Sequence, residues 1–145
     1  VFDLLEDHVP EGAPLLAIDA TVPGIFPGVL ERDYPLVNHV LPSFGILYGY
    51  AHEPVGADGS RSYHTLEEAP VAERMLFEHL ADDLASHDVA AVVVRTTHAC
   101  WTCEGSFDAL ELLAHNGFLG GPMADFVEVG VADEHTVFVH RRYAP

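Results

Sequence analysis

Two short, almost unbroken apolar runs constrain this chain more than anything else in it: PLLAIDA at 14–20 and VAAVVV at 89–94. A strand with one face in water alternates apolar and polar residues, whereas a run without alternation belongs to a strand covered on both faces. Between the two runs lies a helical pattern. Leu76, Leu80 and Leu84 recur every four residues with Ala72, Met75 and Phe77 beside them, while Glu73, Glu78, Asp82 and Asp83 take the other faces. Strand, helix and strand in that order predict a parallel pair joined by a right-handed crossover helix over 70–86.

The rest of the pattern extends this to an α/β fold. Residues 1–8 carry Phe2, Leu4 and Leu5 among acids, which gives a short entering helix ended by Pro10 and Gly12. The stretch 21–54 is rich in proline and resists regular assignment, with Pro35 and Pro42 bracketing an extended piece at best. VGADGSRSYH at 55–64 reads as an exposed loop. Thr65 and Glu68 offer a capping box, but Pro70 would forfeit a backbone bond, so the regular helix begins nearer Pro70. SFDALELLAHNG at 106–117 predicts a second helix with Ser106 as N-cap and Gly117 just past its end. The tail alternates: Val127, Val129 and Val131 share one face, Val137 and Val139 share another, and ADEH can turn between them. The expectation is one α/β domain over residues 1–145, its mixed sheet having parallel inner strands, crossover helices and a C-terminal antiparallel hairpin.

Size and charge narrow the function. With 145 residues and 49% hydrophobic content, the chain can bury one sizeable core. It has 23 acidic residues against six basic ones, all Arg, for a net charge of −17. Such a surface repels phosphate backbones and anionic headgroups, so nucleic acid is excluded as a partner. The shortage is of bases more than a surplus of acids, as suits a solvated face in salty or acidic surroundings. No stretch approaches eighteen apolar residues, and the start has neither the basic end nor the apolar run of a signal peptide. It also lacks an initiator Met, as expected of a processed product or a part of something longer.

The segment RTTHACWTCEGS carries the only two cysteines, Cys100 and Cys103. They lie in the crossing from a buried strand to a helix, where ligand-facing loops of open α/β sheets gather. Three chemistries fit. A redox dithiol uses a helix N-terminus to stabilise its thiolate, but the helical pattern begins after both cysteines, and Glu104 beside Cys103 would raise a thiol pKa. A zinc site could start from His98, Cys100 and Cys103, but it needs a fourth ligand, which His115, His64 or another distant residue would have to supply. The third possibility is a pair of packed thiols, or a local disulfide in an oxidising compartment. No GxSxG, Walker or GxGxxG motif is present, and NGFLGGP follows a helix instead of opening one. Asp82 and Asp83 read as a solvated helix face, not as paired catalytic carboxylates.

Four pieces in order, YPLVNHVLPSFGILYG, HLADDLASHDVAAVVV, FDALELLAHNGF and HTVFVHRRY, resemble the soluble C-terminal domain of certain bacterial polytopic membrane proteins. These belong to the polyprenyl-phosphate-sugar, or dolichyl-phosphate-mannose mannosyltransferase-like, glycosyltransferase group. The resemblance spans roughly residues 10–143. It implies a domain outside the cytoplasmic membrane, partnered by an upstream transmembrane region and assisting with a glycan or protein acceptor. It carries over no catalytic residue, because the catalytic acid of that group lies between transmembrane helices, and it calls for no cofactor. The cysteine pair and the strong acidity depart from the group's pattern. In that compartment a local Cys100–Cys103 disulfide becomes the expected resting state. The rival expectation is a small thiol oxidoreductase or a zinc-binding enzyme built on His98, Cys100 and Cys103.

Overall fold

The computed structural model describes residues 1–19, 26–38, 50, 53–57, 60–99 and 106–144. In chain order the elements are α1 (Phe2–Glu6), β1 (Leu15–Ile18), α2 (Phe26–Glu31), α3 (Val71–Ser86), β2 (Ala91–Arg95), β3 (Thr97–Ala99), β4 (Ser106–Asp108), α4 (Ala109–His115), β5 (Phe126–Ala132) and β6 (His135–His140). The main sheet runs β1-β2-β6-β5. β1 and β2 are parallel, with Leu15 opposite Ala91 and Ile18 opposite Val94. β2 pairs antiparallel with β6, and β6 with β5. The chain is therefore an α/β domain with a mixed sheet, and the C-terminal hairpin forms as expected.

The absence of alternation in the two apolar runs has a direct cause. Leu16, Ile18, Val92, Val94 and Phe138 pack in one cluster with Leu76, Phe77 and Leu80 of α3 and Leu112 and Leu113 of α4. Leu15, Ala17, Ala91, Val93, Val137 and Val139 pack in a second cluster with Leu5 of α1, Val29 of α2, and Val9 and Tyr34. Both faces of the sheet are thus covered, and each buried Val or Leu contributes about 1.5–3 kcal/mol.

β2 lies inside the sheet, but β1 ends the strand order. Its outer side is closed by the extended piece that follows Pro35. Leu15 N–H donates to the Pro35 carbonyl at 2.8 Å and Val37 N–H donates to the Leu15 carbonyl at 3.0 Å. The Asn38 side chain then imitates one more peptide unit, accepting from Ala17 N–H at 2.9 Å and donating to the Ala17 carbonyl at 2.7 Å. This edge is paired without a full strand.

Several local expectations are corrected. The inward stripe of α3 is Glu73, Leu76, Phe77, Leu80 and Asp83, whereas Ala72 is exposed and Met75 is 48% exposed. Glu73 and Asp83 are buried at 2% and 0% exposure, so Asp82 and Asp83 do not share a solvated face. At three- and four-residue spacing a carboxylate inside the stripe looks the same in sequence as one outside it. α3 does begin at Pro70, its N-cap, and the Thr65–Glu68 side-chain bond of 2.9 Å closes the preceding turn. α4 is capped by Asp108, not Ser106: its side chain accepts from Leu110 N–H at 2.8 Å and Glu111 N–H at 3.1 Å. Ser106 instead pairs with Ala99 in the small antiparallel hairpin β3–β4, which the apolar pattern does not announce.

α2 was also unexpected. Its Pro27 falls in the first turn, where no intrahelical N–H donor is needed. A register shift between Glu128 and Gly130 breaks the simple alternation of β5 and leaves Val131 63% exposed. The hairpin turns through Asp133 and Glu134, both left-handed (φ 50° and 66°), which matches the twist of a two-residue connection.

Candidate functional site

The parallel strands deliver Asp19 and Arg95 to the same carboxyl edge, and the antiparallel register that sets Arg95 opposite His135 brings the start of β6 to it as well. The His135 ring is held at both nitrogens. Nδ1 lies 2.7 Å from the Asp133 carbonyl, which can only accept, so Nδ1 carries a hydrogen. Nε2 lies 3.2 Å from Asp19 Oδ2, and both side chains are almost fully buried. The Arg95 guanidinium stands 3.8 Å from the other Asp19 oxygen and bonds Glu134 at 2.8 Å. Beside this group, the hydroxyls of Thr96 and Thr136 meet at 2.9 Å. The arrangement fixes the points at which the chain leaves β1 and β2.

A second polar group ties the 50–65 segment to the helical layer. The Tyr50 hydroxyl donates to Glu73 Oε1 at 2.9 Å and accepts from His64 N–H at 2.9 Å. His64 Nδ1 lies 3.1 Å from Glu73 Oε2, and Nε2 lies 3.5 Å from Glu53 Oε1. The His64 ring stacks on Tyr50 at 4.8 Å, while Tyr63 and Phe107 close the box with centroid distances of 5.5–5.7 Å. Burial pushes the Tyr50 hydroxyl far above its ordinary value; the His64 N–H bond opposes this, and Glu73 adds to it. Tyr50 therefore serves as a proton donor to Glu73 and stays neutral. Burial pulls His64 down, but the hydrogen bond and charge of Glu73, and then Glu53, outweigh it and raise the ring's pKa.

This group also reaches the β3–β4 hairpin. The Tyr63 hydroxyl accepts from Asp108 N–H at 3.0 Å, at the junction of β4 and α4. Arg61 donates to the Tyr50 carbonyl at 2.8 Å, and Asn116 donates to the His64 carbonyl at 3.1 Å. One buried carboxylate, Glu73, is the anchor for most of this assembly.

Of the residues singled out in the sequence, Cys100 and Cys103 lie outside the described residues. The backbone of His98 lies in β3, opposite Phe107. His64 has each ring nitrogen against a carboxylate, which does not suit a fourth zinc ligand, and His115 is exposed in the last turn of α4. Among the described residues, no group of three or more His, Cys, Asp or Glu could hold a metal ion, and no helix is long and apolar enough to cross a membrane. Sequence reasoning missed Asp19, Glu73, Tyr50 and His135. Asp19 left one usable signal, an acid that ends an apolar strand; Glu73 left another, an acid three residues before Leu76 on the inward stripe. The chain matches no family model, no curated protein and no solved structure.

Proposed function

We propose that this chain is a non-catalytic recognition domain on the outer face of the cell membrane, part of a larger glycosyltransferase-like membrane protein. Its recognition surface is the carboxyl edge of β1 and β2 around Asp19, Arg95 and Thr96. The carrying observation is that the polar side chains at this edge bond one another and the backbone: His135 through both nitrogens to Asp19 and Asp133, and Arg95 to Asp19 and Glu134. Groups held in this way set where loops start and return, and loops positioned by a rigid scaffold are the usual carriers of binding. The net charge of −17 supports a neutral or cationic acceptor, such as an uncharged glycan or a basic protein segment, and keeps the domain off anionic headgroups. The reading requires no cofactor.

The test is a titration of the isotope-labelled domain with neutral oligosaccharides, followed by backbone amide shifts. Saturable shifts at Asp19, Arg95, Thr96 and 133–136, with no turnover of a polyprenyl-phosphate sugar, are expected. Turnover by the domain alone, or saturable shifts confined to the opposite end of the sheet, would overturn it.

A further inference from the structure

We propose that His64 is a proton-operated latch: its charged ring clamps the 50–65 segment to α3 and thereby holds the β3–β4 hairpin in place. This goes beyond the recognition reading and does not depend on what the domain binds.

The geometry places one imidazole between two carboxylates from different parts of the fold, Glu73 of α3 on Nδ1 and Glu53 of its own segment on Nε2. A ring that faces acceptors through both nitrogens satisfies both only when both carry hydrogens, that is, as the imidazolium. The remaining charges around it do not substitute for that proton. Arg61 is engaged with the Tyr50 carbonyl, with its guanidinium 6.0 Å from the centroid of the Tyr50 ring. From the hairpin and α4 come two further acids, Asp108 and Glu111, which act on Tyr63. Asn116, packed from the end of α4, is neutral and bonds the His64 carbonyl. The Tyr50 hydroxyl already donates to Glu73 and has no second hydrogen to give.

Loss of the ring proton therefore leaves a buried carboxylate and a second carboxylate facing a neutral ring, one nitrogen of which has become an acceptor. A neutral ring can still donate one hydrogen, to Glu73 or to Glu53 but not to both, so the contact between the segment and α3 loses its charge attraction and the ring loses one of its two hydrogen bonds. The loosening passes along a short path: His64 is adjacent to Tyr63, whose hydroxyl holds Asp108 N–H at 3.0 Å, and Asp108 both ends β4 and caps α4. Because the surroundings raise the folded-state pKa of His64 above 6.5, its stabilisation is complete below the ordinary imidazole value. It is lost as pH rises through the folded-state value. The latch is closed in acid and released toward alkaline pH.

Two measurements on the whole chain test this. In the wild type, the His64 ring and the Asp108 amide are followed by NMR through a pH titration; both should move with one shared midpoint. An Asp108 amide that stays still while His64 titrates would overturn the latch. Hydrogen exchange, corrected for intrinsic rates, is then compared at about pH 5.5 and pH 8.5, on either side of imidazole titration. Protection of amides in 60–65 and 106–108 should fall about tenfold or more on going to the higher pH, while amides of β1, β2 and β6 hold theirs. His64→Gln keeps a polar side chain without the titratable charge, and its sheet protection reports that it is folded. It should show the low protection at both pH values; a pH dependence equal to that of the wild type would refute the proposal.

Discussion

Replacing Tyr50 with Phe removes a single oxygen from the interior and leaves the ring, fully buried in the wild type, to pack against Tyr63, His64 and Phe107. The apolar contribution is therefore nearly unchanged, and the cost lies in hydrogen bonds. Glu73 Oε1 loses its donor at a side chain only 2% exposed, and His64 N–H loses its acceptor in a part-buried position. An unsatisfied buried partner costs about 1–3 kcal/mol, more when charged, and an ordinary hydrogen bond contributes about 1 kcal/mol. The sum is a destabilisation of about 2–4 kcal/mol, a large share of the ~5–15 kcal/mol that holds a domain of this size together. Tyr63→Phe is the matched control: its hydroxyl serves one N–H, that of Asp108, from a less buried position, so about 1 kcal/mol is expected. Urea unfolding followed by far-ultraviolet circular dichroism gives both values from midpoints at constant slope. If Glu73 is the anchor, Tyr50→Phe combined with Glu73→Gln should fall short of additivity by about 1 kcal/mol or more. A Tyr50→Phe variant within about 0.5 kcal/mol of wild type, or indistinguishable from Tyr63→Phe, would refute the reasoning.

At the carboxyl edge, Asp19→Ala should cost about 1–3 kcal/mol by leaving the buried His135 Nε2 without its partner, and a loss below about 0.5 kcal/mol in the same urea assay would contradict the pairing. Raising NaCl from about 0.1 M to 1 M shortens the Debye length from about 10 Å to 3 Å, so the melting temperature of a chain at −17 should rise; a fall would show that its surface carboxylates are not the dominant repulsion. Protein purified without reductant should titrate no free thiol, and reduction should leave it folded, because a Cys100–Cys103 bridge would close a far shorter loop than the fifteen residues associated with about 3 kcal/mol. Stoichiometric zinc or insulin-reducing turnover, lost in a variant with both Cys100→Ser and Cys103→Ser, would instead establish the enzyme reading.

The frame of the fold was legible because it rests on patterns of burial. PLLAIDA and VAAVVV lack alternation since both sheet faces are covered, and the leucines of α3 mark the layer that covers one of them. What escaped was decided by tertiary partners. Glu73 and Asp83 sit among the leucines of α3 in sequence, and only the Tyr50 and His64 side chains, arriving from the 50–65 segment, show why Glu73 points inward. The choice of Asp108 over Ser106 as cap depends on β4 pairing with β3, a contact between residues too few to leave a periodic signal. Asp19 and His135 are 116 residues apart and meet only because β6 runs back beside β2. Cys100 and Cys103 lie outside the described residues, while the buried polar groups around Tyr50 and Asp19 depend on partners distant in sequence.

If this domain faces outward as part of a larger membrane protein, as we propose, its location in the cell shows it most directly. In cells that make it, an antibody raised against the folded domain should detect a polypeptide far longer than 145 residues. That polypeptide should sediment with the membranes and be digested by protease added to intact, wall-stripped cells. An antigen no longer than the domain, recovered from the soluble interior and protected until the cells are lysed, would contradict the account.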